Sequence, residues 1–245
     1  MEVRPGIHQI PGLRWSNAYL LVEEDRLTLV DAGLPGSGRK IFRYIRSIGR
    51  HPQELHQVLL THSHPDHIGP LKGLSQTTGA SINVHRADTR HRQGSEDPWL
   101  HYPGQLLFLP GSLPFLHRIP AHGFIEDGQV LPVLGGLQVL HTPGHTAGSV
   151  CFYLAAQGVL LTGDTLLGDG FSFRRPVPFP GTNFRDYRAS VERLAGLSFE
   201  IALVGHGRPV LEGGTARLQE MLDHYGWITP RWHRLKRWSR SLLGH

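Results

Sequence analysis

One seven-residue stretch, Thr61-His62-Ser63-His64-Pro65-Asp66-His67, constrains this chain more tightly than anything else in it. It follows the apolar run Val58-Leu59-Leu60, so it begins where a buried strand ends. Side chains alternate along an extended segment, which points His62 and His64 the same way. Pro65 holds His64 out of the helical region and suits the first turn of a helix that starts near Asp66. The change from strand to helix then aims Asp66 and His67 at a second point beside the first. Neutral imidazole and carboxylate are ligands for zinc and other first-row metals. A lone His-x-His would read as a histidine-rich surface loop; the full string reads as a metal site.

A chain of 245 residues, 39% hydrophobic and 18% charged, has ample length for a packed core and is not disordered in composition. No apolar run approaches a membrane span, and Met1-Glu2-Val3-Arg4-Pro5 does not open as a secretory signal, so a cytoplasmic home without membrane association is expected. Cys151 is the only cysteine, which rules out a disulfide scaffold within the chain and a thiolate metal cluster. The net charge of +5 comes from Arg231, Arg234, Lys236, Arg237 and Arg240, in a final segment without acids. Without them 20 cations face 20 acids, so no basic nucleic-acid-binding face is expected.

Short strands are predicted at 7–13, 17–24 and 27–30, then an amphipathic helix with Ile41, Phe42, Ile45 and Ile48 on one face, stopped by Gly49. Further strands fall at 57–60 and 81–85, with one helix between them from Asp66 to about Thr78. From 86 to 123 the pattern dissolves under Pro98, Pro103, Pro110, Pro114 and Pro120, yet the stretch stays apolar. It reads as an insertion folded over a single domain spanning 1–245, a lid or a homo-oligomer contact. Strands return at 129–134, 137–141, 149–154 and 159–161. A second irregular stretch covers 168–181, followed by a helix at 184–197, a strand at 201–204 and a helix around 215–225. In the tail 230–245, Trp232, Leu235, Trp238 and Leu242 form one stripe of an amphipathic helix, expected to dock on the body. Strands that come in runs and also alternate with helices suggest two sheets with helices outside rather than one doubly wound sheet.

Five apolar strands end in a candidate ligand or acid: Asp31, His62, His145, Asp164 and His206. Ligands at the carboxyl ends of neighbouring strands can converge on one crevice.

Taken in order, Val30-Asp31-Ala32-Gly33, His62-x-His64-x-Asp66-His67, Pro143-Gly144-His145-Thr146, Gly163-Asp164-Thr165 and Gly205-His206-Gly207 resemble the motifs of the metallo-β-lactamase superfamily. The resemblance runs over nearly the whole chain. It implies an α/β fold, a four-layer αββα sandwich of two mixed β-sheets with helices on the outside and a dinuclear site at its edge. It also implies that His62, His64 and His145 hold a first divalent metal, Asp66, His67 and His206 a second, and that Asp164 bridges them. Zinc is the expected metal, with iron or manganese as alternatives. Asp31 has no direct ligand role in that pattern and is expected to orient a ligand histidine.

The branches of the family differ at positions visible here. Metallo-β-lactamases proper carry cysteine or serine where this chain has Asp164. Flavodiiron proteins replace a histidine of the string by glutamate and add a flavodoxin domain. The RNA-processing nucleases carry an RNA-binding arm or inserted domain, and glyoxalase II continues into a helical domain longer than the residues after His206. What remains is a hydrolase of a small-molecule ester, thioester or lactone. Its expected nucleophile is a hydroxide shared by the metals, with Asp66 orienting it and moving a proton. A mononuclear-iron persulfide dioxygenase is the alternative, ahead of a phosphodiesterase, a nuclease or a β-lactamase. Tyr102 and Tyr187 are candidate oxyanion donors, Phe108, Phe115, Phe171 and Phe179 candidate cleft residues, and Cys151 an inert thiol within a strand.

Overall fold

A computed structural model describes residues 1–91, 98–100, 121–178 and 181–225. Two sheets carry the fold. The first takes β1 (Glu2–Arg4), β2 (Ile7–Gln9), β3 (Tyr19–Val22), β4 (Leu27–Val30), β5 (Leu55–Leu59), β6 (Ser81–His85) and β9 (Gly123–Ile125), in that spatial order. It is antiparallel from β1 to β4 and parallel from β4 to β9. The second sheet orders β10 (Val130–Leu131), β11 (Leu137–His141), β12 (Val150–Leu154), β13 (Val159–Gly163) and β16 (Ile201–Val204). Only its β13–β16 pair is parallel.

The period-two alternation of each strand sends neighbouring residues into different cores. Tyr19, Leu21, Val30 and Leu59 of the first sheet meet Val139, Phe152, Leu161 and Leu203 of the second in a core between the sheets. Leu20, Leu29 and Val58 face the other way, onto Ile41 and Ile45 of helix α1 (Gly38–Ser47) and Leu71 and Leu74 of α3 (Leu71–Thr78). Cys151, Leu160, Ala202 and Val204 of the second sheet pack on Tyr187, Val191 and Leu194 of α4 (Phe184–Leu194) and Leu218, Met221 and Leu222 of α5 (Gly214–His224). Helix, sheet, sheet and helix thus make four layers.

Several local expectations change. The helix predicted from 66 to 78 is broken into α2 (Pro65–Ile68) and α3, with Gly69 and Pro70 between. The Gly69 N–H donates to the Gly33 carbonyl at 2.9 Å, and a Cβ at Gly69 would lie 2.1 Å from the Pro35 nitrogen, so the chain turns where it presses on that loop. The stretch 86–123 holds regular structure at its ends, including the antiparallel pair β7 (Thr89–His91) and β8 (Pro98–Leu100). Residues 92–97 and 101–120 of it, with Tyr102, Phe108 and Phe115, lie outside the described residues, as do Phe179 and the tail 230–245. The second irregular stretch carries β14 (Leu167–Asp169) and β15 (Phe173–Arg174), which form a small sheet with β17 (Gly207–Arg208). No helix among the described residues is long and apolar enough to cross a membrane.

Candidate metal centre

Strands β4, β5, β11, β13 and β16 deliver their carboxyl ends to one edge of the sandwich. Past β5 the chain stays extended through His64 (φ −68°, ψ 146°), and Pro65 then opens α2. Two groups of donor atoms result. His62, His64, His145 and Asp164 form one; Asp66, His67 and His206 form the other, and within each group every donor atom lies within 4.8 Å of the rest.

The separations suit a shared ion. Two ligands each about 2.0–2.1 Å from one tetrahedral zinc stand roughly 3.3 Å apart. In the first group His145 Nε2 lies 3.0 Å from His64 Nδ1 and 3.4 Å from Asp164 Oδ2, with His62 Nε2 at 3.9 Å from the same oxygen. In the second, His206 Nε2 is 3.2 Å from Asp66 Oδ2 and 3.4 Å from His67 Nε2. Asp164 reaches both, because Oδ2 is also 3.1 Å from His206 Nε2 and Oδ1 is 3.4 Å from His67 Nε2. His62 Nε2 is fully buried and has no hydrogen-bond partner among the described residues. An orphaned imidazole nitrogen aimed into a cluster of ligands is the vacancy in hydrogen bonding that a cation satisfies. The residues present therefore fit divalent metal.

For His67, His62 and His206 the opposite nitrogen is tied down. Asp31, the acid expected to orient a histidine, accepts from His67 Nδ1 at 2.9 Å, from Thr61 N at 2.9 Å and from the Thr61 hydroxyl at 2.8 Å. The Thr61 oxygen stands 3.0 Å from His62 Nδ1, and with its own proton on Asp31 it is left to accept from that nitrogen. His206 Nδ1 donates to the Trp15 carbonyl at 2.9 Å. Each arrangement fixes the tautomer that leaves Nε2 free for a metal. Gly205 matters for space: a Cβ there would stand 2.2 Å from Asp164 Oδ1.

The centre is electrostatically lopsided. Burial drives His62 and His145 below the ordinary imidazole value and takes His64 down to about 3. Burial also opposes charge on His67, but Asp164, Asp31 and Asp66 outweigh it and hold that imidazole well above the ordinary value. The same contest lifts His206 to about 10, through its bonds to Asp164 and Asp66. Asp164 and Asp66 themselves, although burial opposes their charge, are held down, in each case first by His67 and then by His206.

Sequence reasoning missed the strap over His206. Ser16 N donates to the Arg14 carbonyl at 3.0 Å, folding Trp15 into a tight turn at φ 72° that only a few non-glycine residues adopt. The Ser16 hydroxyl donates to the Asp66 carbonyl, Asn17 N to the Gly205 carbonyl at 2.7 Å, and Asn17 Nδ2 to the Val204 and Gly207 carbonyls at 2.9 Å each.

Tyr187 is not an oxyanion donor: it is buried, and its hydroxyl donates to the Thr165 carbonyl at 2.9 Å. Cys151 is buried as expected, and burial pushes its thiol up to about 11. Phe171 is exposed and lines a cleft of about 460 Å³ with Gln9, Arg208 and Leu211, which includes none of the candidate ligands. His85 and His141 stack on each other, ring centroids 3.9 Å apart, away from both donor groups.

Comparison with known proteins agrees with this architecture. The family model described as the metallo-beta-lactamase superfamily matches residues 12–206. The uncharacterized protein YobT of Bacillus subtilis is 32% identical over 222 residues, covering 87% of this chain and 91% of YobT. The thioesterase pkgB of Emericella nidulans is 29% identical over 84% of this chain, which spans 49% of that longer protein. The crystal structure of the metallo-beta-lactamase family protein TTHA1429 from Thermus thermophilus superposes with a TM-score of 0.70 at 29% identity, covering 92% of this chain and 81% of that one. With motifs, four layers and clustered donors all in agreement, the chain belongs to the metallo-beta-lactamase superfamily.

Proposed function

We propose that this protein is a dinuclear metal-dependent hydrolase of small thioesters, esters or lactones. The observation that carries the reading is Asp164, whose carboxylate reaches His145 and His67 and His206 at 3.1–3.4 Å, so that one side chain serves both donor groups. On this reading His62, His64 and His145 hold one ion, Asp66, His67 and His206 the other, and Asp164 both. Divalent ions held there, zinc first on this nitrogen-and-oxygen donor set, supply Lewis acidity and a water acidified toward a pKa of about 7 for attack on a carbonyl carbon. Burial keeps His62, His64 and His145 neutral, the form in which imidazole ligates. Asp66, whose side chain is 20% exposed against 6% for Asp164, is the carboxylate that can move a proton between cleft and centre. Asp31 stands behind His67 and fixes its ring. The thioester preference is supported by the relative named a thioesterase, and a small-molecule rather than nucleic-acid substrate by the neutral charge balance of residues 1–229. The single, buried cysteine suits the cytoplasm.

The test joins metal analysis to a substrate screen. Two zinc-like ions per chain with turnover of thioesters or lactones is the expected result. One iron with oxygen consumption on a persulfide would replace the reading by the dioxygenase, and a chain that takes up no metal would end it.

A further inference from the structure

Asp88 belongs to neither donor group. It sits in the short turn Arg86–Asp88 after β6, yet it is only 3% exposed. Its Oδ2 accepts from the Ser63 N–H at 2.8 Å and from the Thr146 hydroxyl at 3.0 Å, and its Oδ1 accepts from the Gly148 N–H at 2.7 Å. Ser63 lies between His62 and His64, and Thr146 to Gly148 directly follow His145. One buried carboxylate therefore clamps the two loops that carry the three-imidazole group. The approach at Gly148 is so close that a Cβ would stand 2.6 Å from Asp88 Oδ1 and 2.7 Å from the Asp88 backbone nitrogen. Burial raises the Asp88 carboxyl, and hydrogen bonds from Ser63, Thr146 and Gly148 pull it back toward the charged form. A buried carboxylate that makes no ion pair in this set of contacts is costly, which argues that it is kept for its geometry.

We propose that Asp88 is a positioning residue of the metal centre, setting the separation between the His62–His64 segment and His145 and thereby the affinity of that group for its ion. The inference rests on the reading of His62, His64 and His145 as one metal site. An amide in place of the carboxylate offers only one acceptor oxygen. Its NH2 then faces either the Ser63 or the Gly148 N–H, and one loop comes loose. Losses of this kind outside the ligands themselves typically weaken a metal site about 10–100-fold.

The full-length chain is stripped with a chelator and titrated with Zn2+ against a chromophoric competitor, as wild type, Asp88→Asn, Gly148→Ala, the double variant and His145→Ala. The expected result is that both single variants weaken, about 10–100-fold, the same binding step that His145→Ala abolishes, and leave the other step unchanged. The double variant should be no worse than the weaker single, because both act on one contact. Thermal unfolding of the metal-free proteins separates this from loss of fold. Wild-type constants in both steps, with or without a lower melting temperature, would overturn the proposal, as would equal weakening of both steps. If Asp88→Asn does not fold, Gly148→Ala decides between the same outcomes. A wild-type chain that binds no zinc would overturn the metal reading itself.

Discussion

Replacing Asp31 should separate two kinds of damage that a single alanine variant would merge. Asp31 lies at φ 57°, a region that asparagine and aspartate tolerate and other residues resist. Its carboxylate serves two donors with fixed directions, Thr61 N and His67 Nδ1, each at 2.9 Å. A third, the Thr61 hydroxyl at 2.8 Å, can rotate away. Asp31→Ala strands both fixed donors in a site that is 2% exposed, at about 1–3 kcal/mol each, and adds about 1–2 kcal/mol for a left-handed alanine. The sum is about 3–8 kcal/mol. Asp31→Asn keeps the backbone conformation and one acceptor, so it loses only about 1–3 kcal/mol. Urea unfolding of the chelator-stripped proteins should therefore rank wild type, Asn and Ala in that order, with Asn and Ala about 2 kcal/mol or more apart. Zinc titration of Asp31→Asn should still show a weakened His67 site. Equal stabilities for the two variants would mean that neither the backbone conformation nor the paired donors constrain this position, and the account of Asp31 would fail.

Three other outcomes follow from the same geometry. Metal-free stability should peak near pH 6.5, the ordinary imidazole value: below it the unfolded chain binds protons that buried His62, His64 and His145 refuse, and above it His67 and His206 keep protons that unfolded histidines have released, until His206 yields at about 10. Melting temperatures recorded in chelator across that range check the sign, and a steady rise with pH through neutrality would contradict it. Zinc loading at neutral pH should expel about two protons, those of His67 and His206, read from the buffer dependence of the calorimetric heat; a heat independent of buffer ionisation would refute the charge assignment. Gly205→Ala should leave a folded chain with less than wild-type zinc, because its Cβ would stand 2.2 Å from Asp164 Oδ1; full loading by elemental analysis would show that the carboxylate has room to move.

The positions of the clustered donor residues were legible in the sequence because each is written locally. A strand of apolar residues stops, a glycine or proline turns the chain, and a histidine or aspartate stands at the turn. The layers were legible for a related reason. Alternation within four or five residues, as in Val58-Leu59-Leu60, records two cores at once, with Leu59 between the sheets and its neighbours under the helices. The break between α2 and α3 was written too, in Gly69-Pro70, but the apolar spacing across it looks like one helix, and only contact with the Leu34-Pro35 loop decides the matter.

Contacts between distant segments left no such trace. Asn17 serves Val204 and Gly207 across 187 and 190 positions, and nothing in the residues around Asn17 names those partners. Asp88 reads as one acid in a charged turn, and its burial exists only because the loop after His145 arrives 60 residues later with a glycine at the point of contact. Tyr187 misled for the opposite reason. Its neighbourhood in the sequence is the irregular stretch beside the site, but α4 begins at an Asn183 cap whose N–H donates to the Gly144 carbonyl at 2.8 Å, and this turns the phenol inward to Thr165. The candidate ligands are thus set by short motifs, whereas the groups bonded to the segments that carry them are supplied by chain that meets them only after folding. On the proposed reading, a substitution in that second set should change metal affinity without touching a recognisable motif.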